Sequence, residues 1–217
     1  MEINIILLLV CLISFIGFGR SDPEPLNDYC VADTKNSRGF FSNGVPCIDP
    51  DDTLASHFAT SALSRPGKMN QFGFNVTLTN VNNLPGINTF GLVMARIDIE
   101  VNGLVPPHSH PRASELVILQ EGSLLVGFVD TTNRLYTQIL RPGDSFVFPK
   151  GLIHFLYNTD LVKPAFAVSG LNSQNPGAQI SSLATFTSNP NLPDDVLKKA
   201  FKITGQDVMR IRKNLGG

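Results

Sequence analysis

From Leu92 to Gly170 the chain is a succession of short apolar or alternating runs, each closed within a few residues by Gly, Pro, Asn or Asp. Leu92-Val93-Met94-Ala95-Arg96-Ile97-Asp98-Ile99-Glu100 alternates, with Arg96, Asp98 and Glu100 on one face. Leu116 to Val129 is rich in β-formers and is broken at Glu121-Gly122, a hairpin signal. Tyr136 to Leu140, Ser145 to Phe148, His154 to Tyr157 and Ala165 to Gly170 follow as further short strands. Arg141-Pro142-Gly143-Asp144 and Pro149-Lys150-Gly151 are turns between them. Successive side chains on a strand point to opposite faces, so runs of this kind bury one face and need a second sheet to cover it. Strands with turn signals every 8 to 12 residues or so predict an all-β sandwich or small barrel.

The two ends read differently. Asp22 to Arg65 has little periodicity and many turn residues, which predicts an irregular arm. Near the C-terminus, Pro193-Asp194-Asp195 precedes Val196-Leu197-Lys198-Lys199-Ala200-Phe201, acidic at the start and basic toward the end, as a helix dipole favours. Thr204-Gly205-Gln206-Asp207 has the form of a capping box, with Val208, Ile211 and Leu215 at helical spacing beyond it. Two short helices are expected, and a partner subunit is one candidate to cover their apolar faces. The expected organisation is a leader at 1–20, an arm at 21–65, a β-barrel at 66–190 and a helical segment at 191–217.

The leader sets the compartment. Ile3 to Phe18 is apolar apart from Asn4, Ser14 and Gly17, and the polar stretch Arg20-Ser21-Asp22-Pro23 follows. This is the form of a cleaved signal peptide, although Glu2 precedes it and no Lys or Arg does. As a membrane anchor the run falls short of the about 20 residues a span requires. Outside it, no segment is long and apolar enough to cross a bilayer. Beyond Cys11 in the leader, Cys30 and Cys47 are the remaining cysteines, and in an oxidising compartment such a pair reads as a disulfide rather than two free thiols. Asn75-Val76-Thr77 is then a glycosylation candidate. The formal net charge of −1 and the lack of a Lys or Arg run give no footprint for nucleic acid.

Chemistry concentrates in the histidines at 108, 110 and 154; His57 lies in the irregular arm and reads as structural or exposed. On an extended chain His108-Ser109-His110 puts two imidazoles on one face. By itself such a pair also describes two surface or core histidines. Its companions narrow the reading. Glu115 follows across Pro111-Arg112-Ala113-Ser114, where the chain can turn back, and His154 opens a later strand after Pro149-Lys150-Gly151. Three nitrogens and one carboxylate oxygen can then converge inside a barrel. That set suits several first-row metals, with copper or zinc ahead of manganese in intrinsic affinity. An octahedral ion held by four protein ligands keeps two positions open, as catalysis requires.

Two ordered motifs carry a family resemblance. The first comprises Gly103, Pro106, Pro107, His108, His110, Glu115 and Gly122; the second comprises Gly143, Pro149, Gly151, His154 and Asn158. With Ser21-Asp22-Pro23, Cys30-Val31-Ala32-Asp33, Pro85-Gly86-Ile87-Asn88-Thr89 and Asn172-Ser173-Gln174-Asn175-Pro176-Gly177, the chain resembles the plant germin and germin-like proteins of the cupin superfamily over nearly its whole mature length. The resemblance implies a jelly-roll cupin barrel with short C-terminal helices, and manganese on His108, His110, Glu115 and His154. It also implies a Cys30–Cys47 disulfide, a glycan on Asn75, and a hexamer built as a trimer of dimers. It implies secretion to the apoplast or cell wall and a part in plant defence. Two activities belong to the family, oxalate oxidation and superoxide dismutation. The positions matching two substrate-holding asparagines of the oxalate-oxidising members are Ala95 and Val105, so oxalate oxidation is not expected here and dismutation is preferred. A non-catalytic, wall-associated binding or receptor-like protein with a structural metal is the alternative. Of the remaining residues, Arg112 and Lys150 read as surface charge, Asn158 as a turn cap, and Phe40, Phe41, Phe146, Phe148 and Phe155 as core.

Overall fold

The computed structural model describes residues 27–36 and 44–216. The expected leader, Cys11, Phe40 and Phe41 lie outside the described residues. Two five-stranded sheets face each other. One runs in the order β1 (Phe74–Leu78), β2 (Val93–Ile99), β9 (Ala165–Leu171), β4 (Glu115–Glu121), β7 (Ser145–Phe148). The other runs β10 (Gln179–Ile180), β3 (Leu104–Ser109), β8 (Ile153–Asn158), β5 (Leu124–Val129), β6 (Leu135–Leu140). Every pairing is antiparallel, giving the all-β barrel expected from the strand pattern and the jelly roll that the resemblance implied.

The inward rows make one core. Ile99, Val117, Leu119, Leu124, Val126, Leu156 and Ala167 are fully buried, and Phe148 closes the layer beneath the histidines. Phe146 packs against this core half-buried, as a rim residue. Phe155 departs from the expectation. Its place between the buried His154 and Leu156 turns it to the other face of the sheet, where its ring lies over Gly127. The β4–β5 hairpin depends on Gly122, whose φ of +87° suits glycine and whose missing Cβ would stand 2.8 Å from the Pro164 carbonyl oxygen.

The arm is pinned at several points. Cys30 and Cys47 form a disulfide, and Ala32 pairs with Cys47 in an isolated bridge. Fully buried Asn88 donates to the Val45 carbonyl at 2.6 Å and accepts from the Val45 N–H at 3.1 Å.

The C-terminal part holds α1 (Ser181–Phe186), α2 (Asp194–Phe201) and α3 (Gly205–Asn214). Phe186, Leu197 and Val208 form a second, separate core, so the helical unit opens at Ser181, earlier than the boundary at 191 expected from sequence. Arg212 ties the unit together, donating to the Phe186 and Leu192 carbonyls and to Asp194. The Thr204–Asp207 capping box forms as the sequence predicts. Among the described residues no helix is long and apolar enough to cross a membrane.

Candidate metal centre

β3 and β8 are neighbours, and His108 faces His154 directly across the ladder. That pairing sets the two rings 4.1 Å apart between centroids. β3 carries Pro106 and Pro107 and yet is a strand. Its register shifts between Val105 and His108, and β10 pairs only with His108 and Ser109, so the missing proline N–H groups interrupt no ladder. The chain turns after His110 and re-enters the opposite sheet at Glu115, the first residue of β4. Four residues from two sheets therefore meet.

Their ligand atoms all lie within 4.8 Å of one another. Donors held at about 2.0–2.2 Å from one ion stand at most about 4.4 Å apart, so shifts of a few tenths of an ångström bring the cluster to the dimensions of a single metal site. His108, Glu115 and His154 are 5%, 3% and 1% exposed, and His110 forms the more open edge.

The ring orientations test whether a cation fits. His108 Nδ1 donates to the Pro106 carbonyl at 2.8 Å, His154 Nδ1 to the Leu152 carbonyl at 2.9 Å, and His110 Nδ1 to the Gly177 carbonyl. A carbonyl can only accept, so in each neutral ring the proton sits on Nδ1 and Nε2 is left to offer its lone pair to the cluster. His154 Nε2 is buried without a directed hydrogen bond, although Glu115 Oε2 lies 3.4 Å away. His110 Nε2 lies 3.1 Å from Glu115 Oε2, so without a cation both ring nitrogens of His110 face acceptors.

The electrostatics agree. Burial, with the neighbouring His154, pushes His108 down to about 4, so it stays neutral. Burial also opposes charge on His110, but the Glu115 carboxylate and the Gly177 carbonyl outweigh it and raise its pKa. Burial would raise Glu115, yet His110 and His154 hold its carboxyl well below the usual carboxylate range. Three imidazole nitrogens and one ionised carboxylate facing a shared point fit a divalent first-row ion.

Beside the cluster opens a cavity of about 430 Å³. Ala95, Ile97, Val105 and Leu156 form its inner wall, and Val76 and Leu78 of β1 extend it outward. Its rim is the segment Gln174 to Ala178. This strap escaped the sequence reading as a functional element, although its Pro176-Gly177 turn signal was visible. It supplies the carbonyl that aims His110, and Arg112 fastens it, donating from Nε to the Asn175 carbonyl at 2.5 Å and from Nη2 to Asn175 Oδ1 at 2.9 Å. Arg112 is thus an anchor as well as a surface charge. Lys150 is exposed, and its backbone N–H donates to Ser114 Oγ. His57 lies outside the cluster, accepting the Leu54 N–H on Nδ1. Asn158, fully buried, donates to the Glu100 and Lys163 carbonyls and accepts from the Asp160 N–H, fastening turns as expected.

Residues 61–209 match the cupin family. The chain is 57% identical over 220 residues to germin-like protein subfamily 1 member 1 of Arabidopsis thaliana, with 100% of each chain covered. It is 56% identical over 216 residues to germin-like protein 3-1 of Oryza sativa subsp. japonica, covering 97% of this chain and 96% of that one. In structure it is similar to an oxalate oxidase at a TM-score of 0.85 and 37% identity, over 90% of this chain and 98% of that chain. With the two motifs in one barrel and their four ligands at one point, this chain belongs to the germin-like proteins of the cupin superfamily.

Proposed function

We propose that the chain is a secreted germin-like protein that holds manganese in the four-donor cluster and dismutes superoxide, converting two superoxide anions and two protons to dioxygen and hydrogen peroxide. The observation that carries this reading is the set of three Nε2 donors, each fixed by a backbone carbonyl, beside an open cavity. The choice of manganese follows the family resemblance. When bound, it supplies the one-electron couple for both halves of the reaction. The chain's own part is to hold the donors deprotonated at Nε2, to balance the cation with Glu115, and to admit a small anion past the strap. Ala95, Val105 and Leu156 offer no acid or base, so both protons come from water.

Oxalate is a poor fit. The two wall positions that would hold it are Ala95 and Val105, and neither side chain can donate a hydrogen bond. Each missing charged hydrogen bond forfeits about 1.5–3 kcal/mol. Secretion is supported by the apolar leader and the formed disulfide. Asn75 is the proposed glycan site. Its Nδ2 donates to the Lys68 carbonyl, and an N-linked sugar leaves that nitrogen one hydrogen with which to donate. Assembly into a hexamer is supported by an apolar outer row, Val147–Leu116–Gly170–Met94, in which Leu116 and Val147 are 56% and 54% exposed.

A second reading is a non-catalytic, wall-associated binding protein whose metal serves structure, and the joining of both sheets by the four ligands favours it. Metal analysis of the purified secreted protein, with superoxide and oxalate assays on the same sample, separates the two. Manganese with dismutation that His108→Ala abolishes supports the first. A metal whose removal lowers the melting temperature of an inactive protein supports the second.

A further inference from the structure

We propose that the cavity beside the metal centre takes a monoanionic acid with a hydrocarbon body, its carboxylate at the metal and its chain along the wall. The inference rests on metal loading of the cluster as proposed above. At about 430 Å³ the cavity is far larger than superoxide and lies within the about 300–1,000 Å³ range of small-molecule pockets. Its wall is aliphatic from the ligands outward: Ala95, Ile97, Val105 and Leu156 deep, then Val76 and Leu78.

Register explains why the wall is continuous. Val76 pairs with Ile97 and Leu78 with Ala95, so these four side chains share the inward face of the β1–β2 pair. Leu78 and Val76 are each 39% exposed, so apolar surface is held open toward solvent at the mouth. Charge fixes the ligand's head. Among the described residues no Lys or Arg lines the cavity, and the ionisable lining groups are the metal ligands themselves. An anion therefore finds a counter-charge at one place, the bound cation. A second carboxylate on the same molecule would lie against Ala95 or Val105 unpaired, a costly burial. The cavity thus selects one anionic head and an aliphatic remainder.

The test is calorimetric titration of manganese-loaded protein with acetate, hexanoate and oxalate, with the manganese resonance spectrum recorded alongside to show that the head reaches the metal. Hexanoate is expected to bind at least ten-fold tighter than acetate and tighter than oxalate, and to perturb the spectrum. Leu78→Asp, at the exposed mouth, is expected to weaken hexanoate at least ten-fold and acetate little. Ala95→Asn with Val105→Asn is expected to reverse the order of hexanoate and oxalate. Hexanoate binding no tighter than acetate, or unaltered by Leu78→Asp, overturns the proposal even if the double variant misfolds. Metal content and dismutation are measured separately. Absent dismutation with tight hexanoate binding removes the preceding reading and leaves this one standing.

Discussion

His110 Nδ1 donates to the carbonyl of Gly177, a residue 67 positions later, so one of the four metal donors is aimed by the strap at the cavity mouth. The strap is in turn held from His110's own side, because the Arg112 N–H donates to the Pro176 carbonyl and its guanidinium grips Asn175. His110 is also the least buried of the three histidine ligands, and so the one most dependent on such a partner.

Arg112→Ala should therefore loosen the metal without unfolding the barrel. Removing a partner that orients a ligand costs about 10–100-fold in metal affinity. Arg112 acts at one remove, so the low end, about ten-fold, is expected. Competition with a chelator measures it, with circular dichroism unchanged. An unaltered affinity would show that the strap keeps its place without the guanidinium.

The arm should matter to the same site. Asn88 Nδ2 lies 3.2 Å from Cys30 Sγ, and the next residue, Thr89, donates its N–H to Gln174 Oε1 at 2.7 Å. Thr89 has a φ of +64°, rare for a β-branched residue, so its surroundings on both sides hold it there. Cys30→Ser with Cys47→Ser removes a cross-link with a sequence separation of 17. Urea unfolding should register a loss of about 3 kcal/mol. Metal affinity should fall as well, since the path from disulfide to strap is relaxed. A stability loss with intact affinity would uncouple the two.

Much of this was legible in the residues. Strand periodicity and turn residues allowed His108, His110, Glu115 and His154 to converge, and the two family motifs that contain all four singled them out as the ligand set. Less visible was β1. Phe74-Asn75-Val76-Thr77-Leu78 does alternate, but it sits beyond an irregular arm and its partner strand is far along the chain. β3 was masked by its two prolines, whose lost donors matter only if a neighbour reaches them. The strap acts through a backbone carbonyl, which no side-chain motif reports. Phe155 illustrates the cost of reading composition without parity, since one position on a strand decides inside from outside.

Acid should open the C-terminal unit from its last helix. A hydrogen bond from the Thr204 hydroxyl, together with Arg210 and the Thr204 N–H, pulls Asp207 down to about 2. A depressed carboxyl contributes stability fully above its ordinary value, 3.8 here, and loses it as pH falls toward 2. Amide exchange in 205–214 should accelerate across that window, and Asp207→Asn should show the faster exchange already at neutral pH. Exchange that is insensitive to both would mean that burial of Val208 alone holds the helix.

Glu115→Gln tests the charge balance of the centre with almost no change of shape. A divalent cation among three neutral imidazoles leaves two positive charges in a buried site, and the Glu115 carboxylate removes one of them. Burying the uncompensated charge is expensive. The amide also replaces one acceptor oxygen with a donor facing His110 or His154, whose Nε2 atoms lie 3.1 Å and 3.4 Å from Glu115 Oε2. Affinity for a divalent ion should fall by at least about 100-fold, beyond the about 10–100-fold range for a residue outside the ligand set. The metal-free variant should also lose the raised His110 pKa, because the carboxylate is the charged partner that sustains it. Chelator competition reads the first effect, and titration of the His110 ring resonance in metal-free protein reads the second. Retained affinity in the variant would mean that the three histidines suffice, and that Glu115 is a neighbour of the centre rather than one of its ligands.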